Sequence, residues 1–350
     1  MSDSPLAADH HHLLSKTAGL WEELRGERIF ITGGTGFVGM WLTEAFVAAN
    51  RDHDLGARAV LLTRNPSHFL QKMPHLANEP SVSFIVGDAT TFDPPKGSFS
   101  YFIHAATERT FEATAADPLA ALERDRIATR RVLDFAAARG VRRFLLTSSG
   151  AVYGRRGLPI DGISEDEECA PDTTDPASTY GESKRLSEFT CAAYGRAHGF
   201  TAVISRLFAF VGPGLPLDGG YAVGNFFADI LAGRPIAIGG DGTALRSYMY
   251  AADLSIWLWT MLLRGGPGKV YNTGSSTPVS IRSLADLLVQ TLAPQTQVTV
   301  ARAPLPGAAP SIYIPDTSRA TKELQLETWI TLPEALKRTF DFYRQSLGNY

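Results

Sequence analysis

Residues 28–39 read Arg28-Ile-Phe-Ile-Thr32-Gly-Gly-Thr-Gly-Phe-Val-Gly39, a short apolar run that breaks into glycines spaced G-x-x-G-x-x-G and then enters an amphipathic stretch. Arg28 to Thr32 has the length and residue types of a buried strand, and Phe37 to Ala49 has the period of a helix. Between them, Gly33, Gly36 and Gly39 lack the side chains that would keep a backbone away from a pyrophosphate. The opening turn of the helix adds unpaired N–H donors and a partial positive charge. With Thr35, Phe37 and Val38 in the same turn, the segment is a candidate dinucleotide cradle.

The pattern then repeats. Arg58 to Thr63 reads as a second strand, followed by Ser83 to Val86, Tyr101 to His104 and Phe144 to Thr147, with a helix over Leu119 to Arg139 between the last two. Strands alternating with helices imply a parallel sheet covered on both faces, so the fold class is α/β, a Rossmann doubly wound sheet. Further on the chain changes character. Gly212-Pro-Gly-Leu-Pro216, Gly239-Gly-Asp-Gly242, Gly265-Gly-Pro-Gly268 and Pro304-Leu-Pro-Gly307 interrupt short elements, as loops do. Irregular segments on a rigid sheet are where a substrate is usually gripped, so a smaller C-terminal α/β substrate-binding lobe is expected. The expected division is a mobile arm over 1–20, a Rossmann domain over 21–205 plus about 248–278, and the lobe over about 206–247 plus 279–350.

Composition narrows the function classes. With 350 residues the chain exceeds the usual size of a single core, while 44% apolar and 20% charged residues are ordinary for a soluble globular protein. A net charge of −3 offers no general attraction to nucleic acid or an anionic membrane, so any bound phosphate must be met locally. Cys169 and Cys191 are too few for a disulfide scaffold and fit a reducing cytoplasm. The run Leu254-Ser-Ile-Trp-Leu-Trp-Thr-Met-Leu-Leu263 is about half the ~20 residues that cross a bilayer and reads as a core helix. His10-His11-His12 reads as part of a solvated tail, and no metal site is expected.

The end of the second strand bears on the cofactor. An acid there would hold a ribose 2′-hydroxyl, whereas an arginine can pair with a 2′-phosphate. The residues are Leu62-Thr63-Arg64-Asn65, with Ser67 and His68 close by and no acid. This favours NADP(H), clamped by Arg64, with NAD(H) as the alternative.

A second constellation supplies chemistry. Tyr180-Gly-Glu-Ser-Lys184 sets a phenol and an ammonium four residues apart, on one face of a helix, downstream of Ser149 in Thr147-Ser-Ser-Gly-Ala-Val-Tyr-Gly154. The neighbouring cation is expected to favour the phenolate, and Ser149 to add a hydrogen bond at the reacting oxygen. Together with the glycine turn, these make a hydride-transfer site.

With these residues in place, the chain resembles the extended short-chain dehydrogenase/reductases that modify nucleotide sugars: epimerases, dehydratases, decarboxylases and 4-ketoreductases. The likeness runs from Arg28 to Phe342. It is carried by 32–39, Gly87-Asp88, His104-Ala-Ala106, 148–154, 180–184, Arg206 through Gly212-Pro213, and 243–253. The resemblance implies that Asp88, next to Ala89, contacts the adenine and that Ala105, Ala106 and Thr107 line the cofactor. It makes Lys184 the partner of the nicotinamide ribose, Tyr180 the acid/base and Ser149 its helper. Asn225 and Arg246 match positions that contact the nucleotide diphosphate. It also implies a homodimer through a four-helix bundle, formed by 119–139 and 176–198, whose alanines with Phe135, Phe189 and Tyr194 offer a packable face.

The chain departs from the family pattern in three places. Asp125 replaces a usual asparagine, and Ala209 replaces an asparagine expected after Arg206-Leu-Phe208. Dehydratases of the group carry an Asp-Glu pair after the active-site hydroxyl residue, and decarboxylases a glutamate at the second of those positions. Here Gly150 and Ala151 stand there, and neither can move a proton. Glu182 points away from the Tyr180 and Lys184 face, which leaves Glu108 as an outside acid. The expected activity is therefore an NADPH-dependent 4-ketoreductase of a nucleotide-linked 4-keto-6-deoxyhexose. A nucleotide-sugar 4-epimerase is the alternative, and a non-catalytic nucleotide-binding regulator a minor one.

Overall fold

The computed structural model describes residues 4, 6–107, 116–154, 159–218 and 220–348, which leaves Glu108 outside the described residues. The chain divides into two compact units. The first comprises Met1–Tyr153, Cys169–Leu207 and Ser255–Tyr271; the second comprises Gly154–Glu168, Phe208–Leu254 and Asn272–Tyr350. Residues 154–168, which the sequence reading left in the dinucleotide domain, thus belong to the second unit.

In the first unit, strands β1 (Arg28–Thr32), β2 (Arg58–Thr63), β3 (Val82–Val86), β4 (Tyr101–His104), β5 (Arg143–Ser149), β6 (Thr201–Leu207) and β11 (Val270–Thr273) form one sheet. Its order is β11-β6-β5-β4-β1-β2-β3. From β1 through β6 the neighbours run parallel. Strand order reverses between β1 and β4, the switch point outside whose carboxyl ends ligands bind in open α/β sheets.

Alternate residues feed the two faces of this sheet. Phe30, Val60, Leu62, Phe102, Phe144, Leu146 and Ile204 pack with Val132, Leu133, Phe135 and Ala136 of α4 (Pro118–Ala138) and Cys191 of α5 (Thr179–His198). Phe135 stands edge-on to Phe30 at 4.9 Å and to Phe102 at 5.2 Å, a geometry suited to the quadrupoles of the rings. Phe135 is therefore core, not part of an outward face. α2 (Phe37–Asp52) brings Phe46 to Trp259 of α7 (Ala251–Arg264), whose indole donates to the Leu42 carbonyl at 3.2 Å. Both tryptophans of α7, Trp257 and Trp259, are buried, as the core-helix reading expected.

Within residues 1–20, expected as a mobile arm, the described part includes a helix. Ala7–Lys16 forms α1, which buries Leu13 and places His10 against Glu44 of α2. Leu6 and Leu13 lie seven residues apart, two helical turns, so both fall on the buried side.

The second unit holds short strands, joined as β12 (Val279–Ser280), β9 (Leu245–Arg246) and β14 (Ile312–Tyr313), as β10 (Met249–Tyr250) with β7 (Phe210–Val211), and as β13 (Val298–Val300) with β8 (Ile236–Ile238). Its larger helices are α6 (Ala222–Leu231), α8 (Ile281–Leu292) and α10 (Leu332–Gly348), with the short α9 (Ser318–Leu324) between the last two in the chain. Asp253 caps backbone groups here, accepting from Trp329 N at 3.0 Å and Ile330 N at 2.9 Å. Among the described residues no helix is long and apolar enough to cross a membrane.

Candidate active site

The glycine turn sits at the switch point and closes on the next crossing strand. Gly33 has φ +70, and a Cβ there would lie 2.6 Å from the Ala105 carbonyl carbon and the Ala106 amide. Thr32 Oγ1 meets His104 Nδ1 at 2.6 Å and accepts from Ala106 N at 3.2 Å. The ends of β1 and β4 are thereby fixed together beneath the turn. A side chain at Gly39 would run into the Gly33 carbonyl, so the helix packs against the turn with no room for a methyl group. Thr35 Oγ1 and Thr63 Oγ1 are 2.8 Å apart, joining the turn to the end of β2. Phe37 and Val38 open α2 from within the same turn. The cradle that Cβ atoms would fill fits a dinucleotide backbone: Gly33, Thr35, Gly36 and Gly39 would hold its pyrophosphate.

At the end of β2, Arg64 is exposed and Asn65 caps α3 (Pro66–Lys72), accepting from His68 N at 3.0 Å. Asp88 Oδ1 accepts from Thr90 Oγ1 at 2.6 Å and from Thr90 N at 2.9 Å. Those bonds hold its carboxyl below the usual range, with the charges of Arg64 and Arg124 adding to the effect. Ala89 lies beside it, half-buried. Arg124 went unnoticed in the sequence. Its only signal there was its place on α4 just ahead of Asp125, and nothing in the spacing shows that α4 turns it toward Asp88.

Tyr180, Ser149 and Lys184 come together. Ser149 ends β5 and hydrogen-bonds the Tyr180 hydroxyl, while Tyr180 and Lys184 stand one turn apart on α5. Lys184 Nζ lies 5.9 Å from the Tyr180 ring centroid and donates to the Thr147 carbonyl at 3.1 Å. Burial pushes the Tyr180 phenol up, the Ser149 bond partly opposes it, and the carboxylate of Asp125 adds to the rise. The expected acidification by Lys184 is therefore not what governs this site: burial sets the direction, and the opposing influence comes from Ser149. Lys184 is itself pushed down by burial, against the support of Asp125 and Glu188. His104, fully enclosed and near the Lys184 ammonium, is pushed down to about 3 and stays neutral.

A buried ion pair braces this end of the sheet. Glu188 accepts from Arg206 Nη2 at 2.8 Å and Nε at 3.0 Å, and from Ser148 Oγ at 2.5 Å, while the guanidinium stacks 4.7 Å over Tyr153. Glu182 instead lies 3.7 Å from Arg185. Gly150 and Ala151 follow Ser149 in a tight turn, and a Cβ on Gly181 would fall 2.6 Å from the Ala151 carbonyl. The turn is therefore pressed onto the start of α5.

Asn225 and Arg246 lie in the second unit. Asn225 is exposed on α6, and Arg246 Nη1 donates to the Ser311 carbonyl at 2.9 Å. Ala209 contributes only its carbonyl, which accepts from Met249 N at 3.1 Å. Among the described residues, no three His, Cys, Asp or Glu side chains gather as a metal would require.

Fold and site together define a nucleotide-dependent oxidoreductase class, and comparison with known proteins makes it specific. The model of the NAD dependent epimerase/dehydratase family matches residues 29–274, and the chain belongs to that family of nucleotide-sugar enzymes. It is 27% identical to UDP-glucuronic acid decarboxylase 1 of Arabidopsis thaliana, over 92% of this chain and 71% of that protein. It is 25% identical to a dTDP-glucose 4,6-dehydratase of Streptomyces antibioticus, over 91% of this chain and 92% of that one. Two solved structures share the fold. A UDP-glucose 4-epimerase from Thermotoga maritima with UDP-glucose superposes with a TM-score of 0.77 at 21% identity, covering 91% and 99% of the two chains. A dTDP-glucose 4,6-dehydratase from Streptomyces venezuelae with NAD bound gives 0.77 at 22% identity, covering 92% and 98%.

Proposed function

We propose that this family member is an NADPH-dependent 4-ketoreductase acting on a nucleotide-linked 4-keto-6-deoxyhexose. The observation that carries the reading is the pair Gly150-Ala151 behind Ser149. The decarboxylases and dehydratases among its relatives would need an acid or base at this turn, and here it offers two side chains without a transferable proton. Reducing a ketone needs one proton donor, one hydrogen bond at the carbonyl oxygen and a hydride. The nicotinamide, when bound, supplies the hydride to C4. Tyr180 gives its proton to the ketone oxygen and Ser149 hydrogen-bonds that oxygen, so the carbonyl becomes an alcohol with charge and atoms balanced. Lys184, fixed on the Thr147 carbonyl, would hold the nicotinamide ribose. Asp88, Ala89, Ala105, Ala106 and Thr107 would line the adenine and pyrophosphate, and Asn225 and Arg246 would contact the substrate diphosphate, the latter through a guanidinium suited to phosphate oxygens.

The absence of an acid at the end of β2 and the exposure of Arg64 support NADPH over NADH. Two helices also support a homodimer: α4 leaves Leu119 79% exposed, and α5 leaves Phe189 73% exposed.

The test is a mass-spectrometric screen of CDP-, dTDP-, GDP- and UDP-linked 4-keto-6-deoxyhexoses with NADPH. One NADPH consumed per product alcohol is the expected result. Turnover of a 4-hydroxy sugar without net loss of NADPH would instead identify a 4-epimerase. In parallel, Arg64→Ala is expected to raise the KM for NADPH about tenfold and leave that for NADH nearly unchanged; an unchanged preference removes Arg64 from the cofactor site.

A further inference from the structure

A row of buried polar groups crosses the first unit, from the floor of the glycine turn to the helix that carries Tyr180 and Lys184. Thr32 of β1, His104 of β4, Thr129 of α4 and Ser187 of α5 are each at most 4% exposed, two residues along the strands from the packed rings of Phe30 and Phe102. Ala106 N donates to Thr32 Oγ1 at 3.2 Å, and Thr32 Oγ1 meets His104 Nδ1 at 2.6 Å. On the other side of the ring, His104 Nε2 meets Thr129 Oγ1 at 3.3 Å and Thr129 Oγ1 meets Ser187 Oγ at 3.1 Å. Ser187 Oγ ends the row by donating to the Ser183 carbonyl at 3.0 Å.

A single placement of hydrogens makes all of these bonds at once. A carbonyl only accepts, so the one hydroxyl proton of Ser187 goes to Ser183, and Thr129 must donate to Ser187. Thr129 then has no proton left for the ring, so His104 donates from Nε2. In a neutral imidazole Nδ1 is then bare and accepts from the Thr32 hydroxyl, whose oxygen takes the Ala106 N–H. A second path leaves the His104 backbone. Thr147 Oγ1 donates to the His104 carbonyl at 3.2 Å, and the Thr147 carbonyl accepts from Lys184 Nζ at 3.1 Å. Lys184 lies between Ser183 and Ser187, so both paths end on the same turn of α5.

We propose that His104, as its Nε2–H tautomer, is a positioning residue that holds the Lys184 turn of α5 in register with the Ala105–Ala106 backbone beneath the glycine turn. The proposed cofactor floor and the Tyr180–Lys184 face belong to different elements, and this row is a bonded path from one to the other. Buried polar groups are costly unless each is paired, so a fully paired row specifies one arrangement of strand ends and helix. The inference rests on the ketoreductase reading only for the reaction that the held geometry serves.

The experiment reads the ring and the helix separately. In full-length protein labelled with nitrogen-15 at histidine, NMR assigns the His104 ring through its contacts with the methyl groups of Thr32 and Thr129. Nε2 is expected to carry the proton and Nδ1 none, without titration from about pH 5 to about 9. Two variants then divide hydrogen bonding from packing: Thr129→Val keeps the shape and removes the acceptor, whereas Thr129→Ser keeps the hydroxyl and removes a methyl group. Amide exchange over residues 183–188 is expected to quicken about tenfold in Thr129→Val and to stay within about twofold of the unchanged chain in Thr129→Ser. Ser187→Ala cuts the last link, should quicken exchange likewise, and carries the test should Thr129→Val fold poorly. With a substrate in hand, kcat should fall about tenfold in Thr129→Val while KM for NADPH holds, and Thr129→Ser should restore it. A proton on Nδ1 in the unchanged chain overturns the proposal. So do exchange as fast in Thr129→Ser as in Thr129→Val, exchange unaltered in Thr129→Val, and a kcat indifferent to the loosened helix. If ring and exchange behave as expected while no nucleotide 4-keto sugar consumes NADPH, the role of His104 stands and the ketoreductase reading falls.

Discussion

Tyr180 is held between opposing influences: burial and the Asp125 carboxylate push its phenol up, and the hydrogen bond from Ser149 pulls it back. A phenol kept protonated at neutral pH serves as an acid, which is the role reduction assigns to it. Removing only the hydroxyl is expected to lower kcat about 10²–10⁴-fold, the usual weight of a positioned general acid, while fluorescence titration shows cofactor affinity unchanged. A Tyr180→Phe protein with undiminished turnover would falsify the catalytic assignment. The glycine turn permits an equally local prediction. Gly39→Ala inserts a methyl group where the Gly33 carbonyl already sits, so helix and turn must part. Overpacking of this kind costs about 1–3 kcal/mol, and because the displaced groups are the proposed phosphate donors, cofactor affinity should fall at least about tenfold. Isothermal titration with NADPH checks this, and unaltered affinity would place the pyrophosphate elsewhere.

At the level of elements, the first half of the fold was legible because its signals are local. Arg28–Thr32 and Arg58–Thr63 are apolar runs bounded by turn residues, and both strands form as read. β6 is hidden because Ser205 and Arg206 interrupt Thr201–Leu207, and Arg206 is held in that strand by its pair with Glu188, eighteen residues earlier in the chain, and by the Tyr153 ring. The joint location of Tyr180 and Lys184 followed from helical spacing, whereas the direction of the Tyr180 shift depends on burial, which spacing does not reveal. α1 is hidden for a similar reason: His10 looks like part of a solvated tail until Glu44 supplies a partner. Glu44 is buried with His10 Nε2 on one oxygen at 2.9 Å and His75 Nε2 on the other at 2.6 Å. Burial alone would raise its carboxyl, but the two imidazoles outweigh it and hold the group below the ordinary value of 4.5. A depressed carboxylate contributes stability that is present above 4.5 and is lost as pH falls through the lower folded-state value. Glu44→Gln should therefore cost about 1–3 kcal/mol at pH 7, and the difference from the unchanged chain should shrink on acidification below 4.5. Thermal scans at neutral and acid pH check this, and a difference that holds constant across that range would show that α1 is docked by its leucines alone.

For the whole molecule the open question is what covers α4 and α5. The sequence offered Phe135, Phe189 and Tyr194 as one packable stripe, and the structure separates them. Phe135 lies in the sheet core, and Tyr194 donates its hydroxyl to Asp134 at 2.5 Å and stacks on His198, while Phe189 stays 73% exposed. Leu119 at 79% and Ile127 at 37% exposure add apolar surface on α4. A single exposed leucine is unremarkable in any protein, and the proposed second copy would cover a phenylalanine left so open on α5. A net charge of only −3 on 350 residues puts little repulsion in the way of such pairing. Sedimentation at micromolar concentration is then expected to give a species of twice 37.9 kDa. Phe189→Glu should shift it to the monomer with an unchanged circular dichroism spectrum, because the residue takes little part in the fold of its own chain. α5 carries Tyr180 and Lys184, so loss of the partner should also loosen the helix that presents them, and reduction should slow at protein concentrations where the unchanged chain remains paired. If the unchanged chain sediments at 37.9 kDa throughout, Phe189 is an ordinary exposed side chain and α5 needs no partner to hold Tyr180 and Lys184.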